Sequence, residues 1–168
     1  MKLLIAYGSQ GKIFHLKEFS VALQRLGVKT MLVKDSDFST GFPSKKPKEW
    51  IGTNKKFKKL IEGFKPDAIF VDRQSHFGID TIKSKIPLFI LLRGHYWSEI
   101  EWAKKTLYKG PLMRSVIWFR NNIAEKCFKN ATAILPICKY LEDVVKEHHP
   151  DQSTLPFLEG IDAEHWYN

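Results

Sequence analysis

Lys2-Leu3-Leu4-Ile5-Ala6-Tyr7-Gly8-Ser9-Gln10-Gly11-Lys12 decides the architecture. An apolar run this short, from Leu3 to Tyr7, suits a strand covered on both faces, as in a parallel sheet. The glycines behind it mark a tight turn. Leu16, Phe19, Leu23 and Leu26 then recur at helical spacing, and Gly27 supplies the stop. Strand, glycine turn and helix together make the first half of a βαβ unit.

Further apolar runs repeat this alternation at Val28–Val33, Ala68–Asp72, Leu88–Leu92, Ala133–Pro136 and Thr154–Leu158. Between them, Phe57, Leu60, Ile61 and Phe64 form a helical stripe backed by Lys55, Lys56, Lys58 and Lys59. A short helix is expected near Ile79 and Ile82. A long helical region runs from Tyr96 to Lys129 with a break at Gly110-Pro111, and a last helix carries Leu141, Val144 and Val145. Residues 34–48, with two prolines, Gly41 and several serines, suit an exposed loop. The expected fold class is α/β: a Rossmann-like three-layer α/β/α domain with a mostly parallel sheet of about six strands.

The chain of 168 residues suits one domain, and 43% hydrophobic with 13% aromatic content excludes a disordered chain. No window approaches the roughly 18 apolar residues a membrane span needs. Residues 1–7 read as a strand, being too short for a signal peptide. Cys127 and Cys138 lack metal-ligand spacing and suit a reducing compartment, so the expected location is cytoplasmic. A net charge of +9 points to a polyanionic partner: nucleic acid, an anionic membrane surface, or a phosphorylated substrate. Charge alone does not choose among them.

Four segments can carry chemistry. The turn holding Gly8, Ser9 and Gly11 can bring backbone N–H groups and a helix N-terminus to an anion, although it is neither GxGxxG nor a P-loop. A ligand-free βα turn fits it equally well. Arg93-Gly94-His95-Tyr96-Trp97 leaves the fourth strand at the same carboxyl edge, with His95 placed to bond a sugar or phosphate and Arg93 supplying fixed charge. Between Arg93 and Lys129, eight lysines and arginines face three glutamates, interleaved with Trp97, Trp102, Tyr108, Trp118 and Phe119. That mixture suits either a helix pair packed on the sheet or an interfacial membrane contact through Trp102, Lys105, Arg114, Trp118 and Phe119. Asp72-Arg73-Gln74-Ser75-His76, after the third strand, can supply acceptor-binding polar groups but reads first as a solvated loop. Asn130-Ala131-Thr132 fits the glycosylation pattern but opens a buried strand, and is discounted. No nucleophile elbow, HExxH or CxxC pair is present, so the sequence holds no self-contained catalytic constellation and no metal site.

Taken in order, these segments resemble the N-terminal domain of GT-B glycosyltransferases, of the retaining family 4 type. His15, Phe19, Leu23, Gly27 and Val28 echo that family's H-x-x-x-L-x-x-x-L-x-x-x-G-h helix, with Phe19 where Leu is usual. Residues 131–139 resemble its A-D-x-I-I-x-x-S segment, with Cys138 where Ser is common. Leu158-Glu159-Gly160-Ile161-Asp162-Ala163-Glu164-His165-Trp166 resembles P-N-G-V-D-x-x-x-F, which closes the domain in that family, with Glu159 where Asn is usual. The resemblance implies a domain over residues 1–162 and the start of an interdomain linker at 163–168. The E-x7-E domain that holds most of the nucleotide-sugar would follow, and this half alone would be inactive. It implies His95 near the transferred sugar, with Gly8, Ser9, Gly11, His15, Arg93 and Gly94 around donor diphosphate or acceptor. No cofactor and no metal are expected. The partners implied are a nucleotide-sugar donor, a sugar or lipid-linked acceptor and an anionic membrane surface, with the protein peripheral on the inner face of the cell membrane. Nucleic acid is disfavoured as a partner. The alternatives are a basic Rossmann-like nucleotide- or nucleic-acid-binding module, or half of another GT-B enzyme such as a sugar-nucleotide 2-epimerase.

Overall fold

The computed structural model of the protein describes residues 1–8, 13–39 and 54–158. In chain order the elements are β1 (Lys2–Tyr7), α1 (Ile13–Arg25), β2 (Lys29–Lys34), a 3-10 turn at Asp35–Asp37, α2 (Lys55–Phe64), β3 (Ala68–Val71), α3 (His76–Ser84), β4 (Leu88–Leu92), α4 (Tyr96–Thr106), α5 (Pro111–Asn130), β5 (Ala133–Pro136) and α6 (Lys139–His148). The strands form one parallel sheet in the order β2-β1-β3-β4-β5. This is the expected Rossmann-like architecture. β3 and β5 are buried along their whole length, which is why their sequences are continuous apolar runs. β2 lies at an edge and stays partly exposed.

Most helices pack on one face of the sheet. Phe57, Phe77, Ile100, Ile117, Ala124, Phe128, Leu141 and Val145 meet Leu4, Ile69, Val71, Ile90 and Ile134 there. The opposite face carries α1, whose Leu16 packs with Leu3, Ile5, Phe70 and Leu135, and whose Phe19 meets Phe157 edge-on.

The expected helix boundaries have visible causes. Gly27 sits at φ 79° behind α1, where Val28 N–H bonds the Leu23 carbonyl at 3.0 Å, the six-to-one closure of a Schellman stop. The break at Gly110-Pro111 is real: Gly110 has φ 91° and Pro111 opens α5, where its missing N–H costs nothing. Asn54 and Ser75 cap α2 and α3 through side-chain oxygens that accept from Lys56 N–H and Phe77 N–H.

The sixth run, Thr154–Leu158, joins β5 as a parallel bridge from Thr154 to Ile134. Ile134 N–H bonds the Ser153 carbonyl, Leu155 N–H bonds Ile134, and Phe157 N–H bonds Pro136. The rung that should fall between the last two is missing because Pro136 has no N–H. Sheet pairing is therefore interrupted just where a full strand would be defined. The C-terminal motif from Glu159 onward lies outside the described residues.

Candidate functional site at the carboxyl edge

β2 and β3 lie on opposite sides of β1, so the chain direction across the sheet reverses between β1 and β3. In open parallel sheets such a switch point leaves a crevice beyond the carboxyl ends of the strands. Gly8 leaves β1 there, Asp72 and Arg73 leave β3, and Arg93, Gly94 and His95 leave β4. Ser9 and Gly11 lie outside the described residues.

Gly8 has a close neighbour that the sequence does not display. A Cβ at this position would fall 2.5 Å from Arg73 Nε and 2.9 Å from its Cζ. The guanidinium thus lies over the glycine and occupies the space a side chain would take. Arg73 reaches across to Asp35, with Nε to Oδ2 at 3.2 Å and Nη2 to Oδ1 at 3.4 Å. Its side chain remains 47% exposed, whereas that of Asp35 is 9% exposed. Burial raises the Asp35 pKa above the ordinary carboxylate range, and the attraction of Arg73 only partly offsets it. A half-exposed arginine is still hydrated, so its pull is too weak to win.

Arg93 and Asp72 form a second pair from neighbouring strands, Nε to Oδ1 at 3.2 Å, with side chains 13% and 2% exposed. Asp72, Gln74, Ser75 and His76 are all buried. The segment 72–76 is therefore not the solvated loop its polarity suggests. It tucks under the carboxyl edge, capping α3 through Ser75 and leaving Arg73 as its exposed member.

His95 caps α4, its Nδ1 accepting from Ser98 N–H at 3.2 Å. That bond puts the proton of the neutral ring on Nε2 and makes Nε2 a donor. Trp97, Tyr140 and His148 surround the ring at centroid distances of 6.4, 6.0 and 6.4 Å. Trp97 stacks on His148 at 4.1 Å and donates from Nε1 to Glu125, which also pairs with His149. Gly94 is placed like Gly8, since a Cβ there would fall 2.7 Å from Glu99 Oε1, again the end of a flexible side chain. His15 stands in the first turn of α1, its Nδ1 buried and without a hydrogen-bond partner among the described residues.

The edge thus brings Gly8 to the end of β1 and Arg93, Gly94 and His95 to the end of β4, two strands separated by β3 and so about 10 Å apart at the usual strand spacing. Arg73 is the residue that sequence reasoning missed. Its only signal was position, one residue past a strand end at a reversal of strand order. Trp102, Lys105, Arg114, Trp118 and Phe119 are exposed on α4 and α5, outside this edge. Among the described residues no group of three or more His, Cys, Asp or Glu side chains could hold a metal ion. A surface groove of about 430 Å³ beside Phe57, Lys58 and Lys83 lies toward the opposite end of α3.

Fold and edge together define a Rossmann-like α/β domain. No protein-family model matches the chain, and no curated protein matches it in sequence. Among solved structures, it is similar to the UDP-GlcNAc 2-epimerase from Methanocaldococcus jannaschii, with a TM-score of 0.59 at 12% identity. The match covers 93% of this chain but 45% of that one, so the chain spans less than half the length of that protein. At this identity the likeness establishes the fold.

Proposed function

We propose that this chain is the acceptor-binding N-terminal half of a retaining, family 4-like glycosyltransferase that works in the cytoplasm. Residues 1–162 are the domain, and 163–168 lead toward a second domain holding most of the nucleotide-sugar. The observation that carries the reading is the carboxyl edge, where Arg73 follows β3 and Arg93 and His95 follow β4, next to Gly8 at the end of β1. This is a set of cations and donors without a nucleophile–base pair.

Such a set suits the departure of a nucleotide diphosphate. Negative charge develops on the leaving oxygens, and fixed donors aimed at it lower the barrier without reorganising. Arg73, half exposed, offers the more accessible charge, while Arg93 is already neutralised by Asp72. His95 Nε2–H would bond a hydroxyl of the transferred sugar. Ser9, Gly11, His15 and Gly94 would line the donor diphosphate or the acceptor.

A second reading is favoured by the fold likeness itself: half of a sugar-nucleotide 2-epimerase. The two part in their products. The full-length native protein, incubated with a panel of nucleotide-sugars, should release nucleoside diphosphate only with acceptor present and yield a mass-shifted acceptor. Free nucleotide with an isomerised sugar, and no acceptor needed, would replace transfer by epimerisation. Neither product, from a protein that binds no nucleotide-sugar, would reject both. His95→Ala is expected to lower kcat about a hundredfold, with KM changed far less.

A further inference from the structure

α4 and α5 form a helical hairpin whose end stands clear of the domain. α4 starts at the carboxyl end of β4 and runs toward the start of α5. α5 returns and ends at the amino edge, where Thr132 N–H bonds the Leu88 carbonyl. Twenty residues of helix span about 30 Å, against about 17 Å for the five residues of β4. The start of α5 therefore overhangs the carboxyl edge. Burial agrees, because within residues 104–115 Tyr108 alone is even partly buried.

The overhanging end is apolar and cationic at once. Leu107 is 62% exposed and Leu112 76%, with Met113 and Trp102 also open to solvent. From Trp102 to Ala124 the chain has Lys104, Lys105, Lys109, Arg114 and Arg120 and no carboxylate. Lys104 pairs with Glu101, while Lys105, Lys109 and Arg114 make no ion pair among the described residues.

We infer that this hairpin end docks on an anionic lipid surface, with Leu107 and Leu112 entering the acyl boundary and the cations resting on headgroups. The charge selects the occupant. A second copy would bring the same uncompensated cations against each other. The dozen residues of the end fall short of the twenty to thirty per side, roughly, of a stable protein interface. Exposed leucines add nothing to a contact with nucleic-acid phosphates. The inference moves the membrane contact expected at Trp118 and Phe119 toward the hairpin end, and it stands whether or not the transferase reading does.

The test is co-sedimentation of the full chain with vesicles of equimolar phosphatidylglycerol and phosphatidylcholine, against vesicles of phosphatidylcholine alone. Binding is expected to the anionic vesicles only and to weaken with salt. Leu107→Ser with Leu112→Ser should lower the partition coefficient at least about tenfold. Lys105→Glu with Lys109→Glu should do likewise, while Lys55→Glu with Lys59→Glu on α2 should leave most of the binding. Brominated acyl chains should quench part of the tryptophan emission of the wild type and less of it in Trp102→Phe, which reads insertion without touching the leucines. Equal partition by wild type and the double-serine variant, both with native circular dichroism, would overturn the inference. So would equal binding to neutral vesicles, or a dimer or nucleic-acid complex that needs Leu107 and Leu112 while vesicles stay unbound.

Discussion

The switch-point edge and the hairpin end both carry concentrated charge, and they handle it in opposite ways. At the edge, the buried carboxylates of Asp35 and Asp72 each hold an arginine from another part of the chain, and Gly8 gives up its side chain to let one of them lie flat. At the hairpin end, cations stand in water beside exposed leucines, and most have no partner among the described residues. A charge removed from water must be paired or it unfolds the region, whereas a charge left in water costs nothing and selects nothing until a partner arrives. The edge is thus built to hold a geometry. The hairpin end is built to present a surface.

The largest test of this contrast is Asp72→Ala. It removes the buried carboxylate that pairs with the Arg93 guanidinium, and should cost about 3–5 kcal/mol in denaturant unfolding. Arg93→Met combined with Asp72→Leu should cost less than Asp72→Ala alone, since no charge is left buried. A loss below about 1 kcal/mol for Asp72→Ala would mean the pair is solvated, and the edge would lose its claim to rigidity.

Gly8→Ala comes next. The new methyl pushes the Arg73 guanidinium aside and with it the partner of Asp35; the arginine is flexible and half exposed, so the expected loss is about 1 kcal/mol or less. The same substitution in an Arg73→Ala background should cost less by more than about 0.5 kcal/mol, because the obstacle is gone. Simple additivity in this cycle would show that Gly8 serves the turn and not the arginine.

Asp35 gives a smaller effect with a definite sign. Its pKa is raised in the folded protein, so between the unfolded value, about 3.9, and the folded one the native state binds more protons than the unfolded state. Stability from this group is therefore present at the acid side and falls as pH rises through that window. Asp35→Asn should remove that fall, which urea titrations across the window can measure. A wild type that instead gains stability over Asp35→Asn as pH rises there would mean that Arg73 outweighs burial.

These pairings also mark where the sequence stopped being readable. Strands β1 to β5 were legible to within a residue or two because a strand covered on both faces must be apolar throughout. Gly27 and Gly110-Pro111 were legible because the chain has few other ways to stop a helix and start another. What joins Asp35 to Arg73 is a contact across 38 positions, and periodicity carries no signal of it. The segment 72–76 misled for the same reason: five polar residues in a row suggest water, while the burial of all but Arg73 depends on what the sheet and α3 put around them. Leu107 and Leu112 carry no signal of their own in the sequence, and only the length of α5 against β4 places them beyond the core.

The smallest effect is the one that separates the two regions most cleanly. Leu112 and Ile117 sit five residues apart on α5, one 76% exposed and the other 2%. Ile117→Ala should cost about 2–5 kcal/mol, through lost transfer energy and the cavity it leaves among the helices. Leu107→Ser with Leu112→Ser removes more apolar surface in total, yet should shift stability by no more than about 0.5 kcal/mol per site, because little of that surface was buried to begin with. Serine near the start of a helix also finds free N–H groups to bond, so the local helix is not weakened. Thermal unfolding of the three proteins side by side decides it. If the double-serine variant unfolds as early as Ile117→Ala, the leucines are core, and the hairpin end is packed against the body instead of projecting from it. If it unfolds with the wild type, two large apolar side chains are held in water by a domain that gains no stability from them, which leaves a surface outside the chain as their use.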